Sequence, residues 1–337
     1  MLDEIGRNGL FSEYTMHNIS HVDGMLGLLE QIVPDKVKEI MTPTDWMMTV
    51  LSVYFHDLGM LITNEEYDKR YSNEDFLSYL KSHPKNEIEK NDDYDKVIYQ
   101  DFVRKHHGDR INNWINNTNK PIDESQPVMK FLYDMLHGLE SKILRDLAQL
   151  CKSHQEDLKD SIEDYEADRQ YEQDEKSCFN KLYVAALLRV ADLLHVNSER
   201  APQEKFLLIS PQDPYSRREW VKQKSINCIR PRKEKDRDGN VDDKLEQHCF
   251  EIVGEFNDED AFSHFQLYLD YAEQELKSVY QICNESQKKF NNKYNFPWDE
   301  IDRNRIKTIG FSANKLEFNL DKENILNLLI GHTLYNQ

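Results

Sequence analysis

Two segments of the chain are apolar on almost every face of a helix. The first runs from Trp46 to Met60 and reads WMMTVLSVYFHDLGM, and the second runs from Leu182 to Leu194 and reads LYVAALLRVADLL. Helices that are apolar all round usually lie buried inside a domain. We therefore predict that these two helices form the centre of the fold.

Local signals place the ends of the first buried helix. Thr42 can act as the N-cap, Pro43 suits the first helical position, and Asp45 stands where a capping acid belongs. Gly59 is typical of a C-terminal stop. We predict a helix over 43–59.

The remaining apolar positions predict more helices before residue 200 and a mixed region after it. A helical period recurs over 17–33, 94–116, 126–155 (as two helices) and 258–290. Polar composition predicts a surface loop over 61–95, with a short helix near 73–82, and an exposed acidic segment over 156–177. Short apolar runs predict strands at 205–210, 225–229, 247–256, 306–311 and 315–319, and a helix from 322. The fold class is therefore mainly α, with a helical domain over 1–200 and a smaller α+β region over 201–337.

The balance of charge restricts the class of partner. The 62 Asp and Glu residues exceed the 43 Lys and Arg residues, which gives a net charge of -19. A chain this acidic is a poor general binder of nucleic-acid backbones, but it can still hold a local basic pocket for a phosphorylated small molecule.

Composition also indicates a compartment. The five cysteines contain no CxxC pair, which favours a reducing environment and argues against a cysteine zinc site. The start of the chain, MLDEIGRNGLF, is too polar for a secretory signal, and Arg189 and Asp192 interrupt the longest apolar run. We predict a cytoplasmic protein without a membrane-spanning segment.

Several His and Asp residues occupy positions where a charge needs a partner. His56 and Asp57 end the first buried helix, Asp192 lies inside the second, and His17 and His21 are four residues apart on one helical face. Because an unpaired buried charge is costly, this set of ligands suggests a metal ion.

Simpler interpretations of these residues stay open. His56 and Asp57 could lie exposed at the helix end, and the neighbouring Arg189 could satisfy Asp192. The protein would then be an all-helical scaffold, and His21, His56, Asp57 and Asp192 would not converge in space.

The segment RKHHGDR at 104–110 offers a phosphate site. His107 shares a face with the apolar residues of its helix, and Arg104 and Arg110 lie one turn on either side of it. Guanidinium groups bind phosphate oxygens in a bidentate manner. An alternative is that both arginines pair with nearby acids.

The order of these ligands resembles the HD superfamily of metal-dependent phosphohydrolases. The matching residues are His21 in HNISHVDGML, His56 and Asp57 in YFHDLGM, and Asp192 in LLRVADLLHV. The resemblance covers roughly residues 10–200 and implies an all-helical core with a metal bound by these four residues.

The resemblance also implies roles for further histidines. In several members of that superfamily, histidines between the HD pair and the last Asp serve a second metal or protonate the leaving group. His107 and His154 stand at those places, with His17 as a weaker candidate. His195 stands where relatives often carry a further Asp, and no role is assigned to it.

Other segments resemble a subgroup of HD domains that precede a gyrase and histidine-kinase (GHKL) type ATPase domain. These segments are TMHNISHV, RKHHGDR and RVADLLHVNSERAP. The tail KLEFNLDKENILNLLIGHTLYNQ is similar to the lead-in strand and first helix of such an ATPase, without the Asn-bearing ATP motif. The expectation is a front part of a longer protein, or a form that lacks the ATPase.

The resemblance implies a phosphohydrolase that acts on a nucleotide, either a deoxynucleoside triphosphate or a cyclic nucleotide. Mixed His and Asp ligands suit Mn, Fe, Co, Ni or Zn, and Mg where substrate phosphates complete the shell. Asp57 and His107 are the catalytic candidates, with His107 as general acid or phosphate-orienting group. Arg104, Arg110, His154 and His17 are the candidates for substrate binding.

The alternative function is a nucleotide-sensing regulatory module coupled to an ATPase or partner protein. The predicted long helix at 258–290 could also contribute to a homo-oligomer interface.

Overall fold

The computed structural model describes residues 11, 15, 19–83, 94–118, 127–158, 169–170, 178–211, 214–234, 236, 238, 240–241 and 247–312. The described residues form a mainly α-helical protein with a small sheet, which confirms the predicted fold class. No helix among them is long and apolar enough to cross a membrane. His17, the strand predicted at 315–319 and the helix predicted from 322 lie outside the described residues.

The part of the chain before residue 200 is helical. Its helices are α1 (Ile19–Ile32), α2 (Asp35–Lys38), α3 (Pro43–Phe55), α4 (Asn64–Asp68), α5 (Glu74–Ser82), α6 (Tyr94–Asn116), α7 (Pro127–Leu136), α8 (Ser141–Ser153) and α9 (Lys181–Leu194). Two short strands, β1 (Arg169–Gln170) and β2 (Cys178–Phe179), pair in antiparallel fashion before α9. The helices predicted at 17–33, 73–82, 94–116, 126–155 and 182–194 are confirmed.

Helix α3 begins as predicted but ends earlier. The Thr42 side chain accepts a hydrogen bond from the backbone of Asp45, and Asp45 accepts one from the backbone of Thr42, which completes a capping box. The prediction of one helix to residue 59 is wrong, because the backbone tightens into a 3₁₀ turn over His56–Met60. Such tight turns are common where an α-helix ends.

Gly59 serves close packing instead of a left-handed helix stop. A Cβ atom at Gly59 would lie 2.0 Å from the carbonyl oxygen of His107, so only glycine lets α6 approach the turn this closely. The backbone around His107 therefore lies directly against the turn that carries His56 and Asp57.

Helix α9 is the centre of the helical core. Every residue of α9 is buried except Asp192, and the helix packs against α1, α3, α8 and the long helix α12 (Glu259–Phe290). At its start, the buried Lys181 ammonium binds the buried Asp146 carboxylate at 2.9 Å. Asp192 is thus the one position at which α9 opens toward solvent.

The part after residue 200 is mixed. It contains α10 (Gln203–Ile209), α11 (Pro214–Lys224), β3 (Ile226–Pro231), β4 (Cys249–Phe256), α12 and β5 (Glu300–Thr308). The central β4 pairs antiparallel with β3 and parallel with β5. The predictions at 225–229, 247–256 and 258–290 are confirmed, and the strand predicted near 306–311 begins earlier, at Glu300.

The strand predicted at 205–210 is wrong, because these residues belong to α10. Pro202 precedes the helix, and Ser210 ends it in the left-handed conformation with φ 45°. Leu207 and Leu208 are 67% and 84% exposed, so the apolar run does not mark a buried strand. Short apolar runs do not by themselves distinguish a strand from a helix.

Residues from both parts share one buried core that includes Val190, Phe250, Phe265 and Trp298. The domain boundary near residue 200 stays a prediction.

Asp45 fastens the N-terminus of α3 to two distant segments, which predicts a large effect of its removal. Its carboxylate accepts hydrogen bonds from the Tyr294 hydroxyl at 2.7 Å and the Asn180 backbone at 2.8 Å, in addition to the capping bonds. We expect Asp45→Ala to lower the free energy of unfolding by about 3–5 kcal/mol, since it leaves buried donors unsatisfied. Chemical denaturation measures this change.

The control for Asp45→Ala is Asp35→Ala. The Asp35 side chain is 93% exposed and pairs with Lys38 on the surface, and such pairs contribute about 0–1 kcal/mol. Equal effects of the two substitutions would contradict the role given to Asp45.

Candidate metal centre

Four side chains from three elements meet beside α9. His21 comes from α1, His56 and Asp57 from the 3₁₀ turn, and Asp192 from α9. His21 Nε2 lies 3.8 Å from Asp57 Oδ2 and 3.6 Å from Asp192 Oδ1. His56 Nε2 lies 3.3 Å from Asp57 Oδ2 and 3.8 Å from Asp192 Oδ1. The scaffold interpretation, in which these residues stay apart, does not describe this arrangement.

The spacing of these atoms fits ligands of one ion. Metal bonds to imidazole nitrogen and carboxylate oxygen measure about 2.0–2.2 Å, so neighbouring ligand atoms lie roughly 3–3.6 Å apart. Direct N–H···O hydrogen bonds are shorter, at about 2.7–3.2 Å. The buried Nε2 of His56 has no hydrogen-bond partner among the described residues, and a cation among the four ligands would satisfy it.

Backbone carbonyls set the tautomers of three histidines. Nδ1 of His56 donates to the carbonyl of Val53 at 2.9 Å, Nδ1 of His107 donates to that of Arg104 at 2.7 Å, and Nδ1 of His154 donates to that of Cys151. In a neutral imidazole held this way, Nε2 carries the lone pair, and in all three histidines Nε2 faces the site. Metal-bound histidines typically donate their second ring nitrogen in this way.

His107 and His154 form a second group of ligands with Asp57. The two Nε2 atoms lie 2.7 Å apart, and His107 Nε2 lies 3.3 Å from Asp57 Oδ1. Two lone pairs at this distance repel each other unless a proton or a metal ion lies between them. Because Oδ2 of Asp57 faces His21 and His56 while Oδ1 faces His107, this carboxylate could bridge two ions.

The charges of the site shift the pKa values of its residues in different directions. Burial and the charge of Arg200 hold the pKa of His21 well below its usual range. Burial alone would lower the pKa of His56, but the carboxylates of Asp57 and Asp192 outweigh it and raise the value well above normal. Burial and the neighbouring His107 and His56 lower the pKa of His154 to about 3, so His154 is neutral at physiological pH.

Asp192 is held as a carboxylate. Burial alone would raise its pKa, but the contacts with His21 and His56 keep it well below the usual range. The site therefore combines anionic oxygens with the neutral imidazoles of His21 and His154 and with His56, which must release a proton before it binds a cation. Oxygen and nitrogen donors of this kind suit a divalent cation.

A cavity of about 580 Å³ opens beside both groups, and Asp57, His107, His154 and Asp192 line it. Its remaining charged lining is mostly basic: Arg104, Lys105, Arg189, Arg200 and Lys222, with Glu219 and Glu275. The whole lining thus has five Lys and Arg residues against four Asp and Glu residues, in a chain with a net charge of -19. This small local excess of cations favours an anionic ligand.

Arg104 and Arg110 occupy different surroundings. Arg104 lines the cavity and binds Asp101. Arg110 binds Glu66 and donates to the backbone carbonyls of Gly59 at 2.7 Å and Leu61 at 2.8 Å. Arg110 therefore holds the 3₁₀ turn in place, and both arginines have the acidic partners of the alternative interpretation.

Comparison with known families agrees with this geometry. The profile of the HD-CE family matches residues 11–278, a span that contains all six candidate ligands. The chain belongs to the HD-CE family. No curated protein and no solved structure matches the chain.

The HD-CE structure adds His195, which sequence reasoning left without a role. Nδ1 of His195 lies 2.7 Å from Nδ1 of His21. One of these two nitrogens donates and the other accepts; if Nε2 of His21 binds a cation, Nδ1 of His21 is the donor. His195 thereby orients the ring of a candidate metal ligand.

Gly24 is the feature of the sequence that could have pointed to this contact. A glycine inside a predicted helix usually has a packing reason. A Cβ atom at Gly24 would lie 2.1 Å from Nε2 of His195, whereas one at Gly27 meets nothing within 4 Å.

The pair of glycines on α1 gives a matched test of the His195 contact. We expect Gly24→Ala to displace His195 and weaken Mn²⁺ binding about 10–100-fold, the usual effect of losing a residue that orients a ligand. Gly27→Ala gains the same helix propensity without a clash and should bind Mn²⁺ as the wild type does. Isothermal titration calorimetry measures both; equal affinities would contradict the role of His195.

The raised pKa of His56 predicts a pH dependence of metal binding. Below that pKa the imidazole holds a proton that a metal must displace. Mn²⁺ affinity should therefore fall as the pH is lowered, by up to about tenfold per pH unit for one displaced proton. Titrations at pH 6, 7 and 8, in buffers of different ionisation enthalpy, count the released protons. An affinity independent of pH would contradict the ligand role of His56.

Proposed function

We propose that this HD-CE protein is a metal-dependent phosphohydrolase that acts on a nucleotide. The observation that carries the proposal is the Asp57 carboxylate, whose two oxygens face two groups of histidine nitrogens at the edge of a basic cavity. In this cluster the neutral imidazoles turn acceptor nitrogens toward carboxylate oxygens, and without a cation His56 holds a proton, as its raised pKa indicates. The cluster fits cations that in turn bind phosphate oxygens.

The proposed ligands divide into two sets around Asp57. His21, His56, Asp57 and Asp192 would hold one ion, and Asp57, His107 and His154 could hold a second. Mixed nitrogen and oxygen donors suit Mn, Fe, Co, Ni or Zn, with Mg where substrate phosphates contribute. A bound divalent ion supplies an activated water near neutral pH and neutralises phosphate charge.

The protein's own residues would position the substrate. Arg104 lies on the cavity side of α6 and can bind a phosphate oxygen in place of Asp101. His107 holds its Nε2 toward Asp57, so it acts as a ligand in a two-ion site. In a one-ion site, the protonated imidazole would be the general acid. His154, neutral because of its low pKa, is suited to a ligand role in either case.

The proposal includes the cellular setting expected from the sequence. Membership in the subgroup that precedes GHKL-type ATPases is supported by the segments at His21, Arg104–Arg110 and Asp192–Arg200. An ATPase partner domain or a homo-oligomer, and a cytoplasmic location, belong to the same proposal. A deoxynucleoside triphosphate and a cyclic nucleotide are the candidate substrates.

Metal stoichiometry together with turnover tests the proposed function. We expect up to two Mn²⁺ ions per chain and release of phosphate, triphosphate or opened cyclic product from a nucleotide panel. Asp57→Ala and Asp192→Ala should lose both metal and turnover, because each removes a charged ligand, while retaining most of the helical circular dichroism. His107→Gln should reduce the number of ions from two to one.

The control for His107→Gln is His137→Gln, since His137 is exposed in the turn that follows α7 and its Nδ1 contacts the carbonyl of Tyr133. Elemental analysis and a product assay give the readouts. A wild-type protein that takes up no Mn²⁺, Fe²⁺, Co²⁺, Ni²⁺ or Zn²⁺ and turns over no nucleotide in the presence of Mg²⁺ would exclude the phosphohydrolase. A protein that binds metal but turns over no nucleotide would favour the regulatory alternative.

A further inference from the structure

The cavity beside the metal centre is completed by cations from beyond α9. Arg200 and Lys222 line the same cavity as Asp57 and Asp192. Arg200 belongs to the 3₁₀ turn Ser198–Arg200 and Lys222 to α11. Both residues are buried, at 8% and 6% exposure, which is unusual for cations and calls for an anionic or polar environment.

Arg200 contacts the metal centre through His195. Its Nη1 donates to the carbonyl of His195 at 3.2 Å, and His195 in turn contacts the ligand His21. The guanidinium is therefore close enough to the ligands to act on the same bound molecule.

Tyr268 contacts both Lys222 and the end of α9, next to Asp192. The hydroxyl of Tyr268 donates to the carbonyl of Leu193, the residue after Asp192. The Lys222 ammonium lies 4.4 Å from the centre of the Tyr268 ring and pairs with Glu219. The ring thus holds the ammonium against the cavity, next to the end of α9.

Lys222 retains the capacity to bind a ligand in this arrangement. An ammonium has three donors, while Glu219 takes up one direction and the ring of Tyr268 shields another. An anionic oxygen in the cavity could therefore share Lys222 with Glu219. Neither Arg200 nor Lys222 is a candidate ligand of the metal centre. The two cations are therefore suited to bind an anionic group other than the one that a metal ion would bind.

We infer that Arg200 and Lys222 form a subsite for a second phosphate group, distinct from the phosphate at the metal centre. The inference rests on the proposed function for the idea that the bound molecule is a substrate. It deepens that function by naming the class: a substrate with a chain of phosphates, such as a nucleoside diphosphate or triphosphate. A cyclic nucleotide with one phosphate would leave this subsite empty.

Inorganic phosphates test the subsite without any assumption about the nucleoside. Binding of orthophosphate and of tripolyphosphate is measured by calorimetry on the full chain, with Mg²⁺ in excess so that tripolyphosphate does not strip a bound ion. We expect the wild type to bind tripolyphosphate at least about tenfold more tightly, since a charge-assisted hydrogen bond supports about 10–100-fold in affinity. Lys222→Met should remove this advantage and leave orthophosphate binding and metal content unchanged.

Two further variants make the test specific. Lys224→Met changes an exposed lysine of the same helix, which lines a different cavity, and should behave as the wild type does. Lys222→Met/Glu219→Gln removes both charges and so avoids an uncompensated carboxylate if the single variant folds poorly; it should bind as Lys222→Met does.

The result that would overturn the inference is a tripolyphosphate advantage that persists in the single and double variants, or its absence from the wild type. The proposed function is judged separately, by metal stoichiometry and turnover. If the protein binds tripolyphosphate through Lys222 but hydrolyses no nucleotide, the result supports the phosphate subsite and contradicts the proposed enzymatic function.

Discussion

The structure depends on one buried carboxylate that is shared by two groups of histidines. Asp57 is 8% exposed and faces His56 with one oxygen and His107 with the other. A buried carboxylate needs positive partners, yet the nitrogens turned toward it carry lone pairs. Without a metal, protonation of one imidazole is the least costly way to give Asp57 a positive partner, and the raised pKa of His56 reflects this protonation. A divalent ion would supply a positive partner for the carboxylates and for the nitrogen lone pairs at the same time.

Backbone hydrogen bonds fix the orientation of these histidines without any ion. Each of His56, His107 and His154 lies at or near a helical turn and donates its Nδ1 proton to a carbonyl three residues earlier. This local bond fixes the ring, so little conformational entropy remains to be lost on binding. Gly59 and Gly24 allow the turns to pack closely enough for the rings to meet. The precision of the site therefore comes from helix ends and glycines and not from the ligands alone.

Sequence reasoning could find those ligands that break an apolar pattern. Asp57 and Asp192 interrupt runs of buried residues, and the profile of hydrophobicity alone marks them as unusual. It could not find the contact between His107 and His154, because their 47-residue separation carries no period that would bring α6 and α8 together. Helical geometry places Arg104 and Arg110 about 120° apart, since six residues rotate a side chain by roughly 600°, but it could not show which of the two directions faces the site. Only the fold shows that one of them faces the cavity and the other holds the 3₁₀ turn.

The region after residue 200 packs on the helical core and also contributes residues to the cavity. Its helix α12 packs on α9, and Tyr268 of α12 binds the carbonyl next to Asp192. Helix α11 brings Lys222 to the same place. The HD-CE match ends at residue 278, inside α12, and so includes every residue of this wall. A metal centre can be built from the first 200 residues, but the shape and charge of the cavity that would receive a substrate require both parts of the chain.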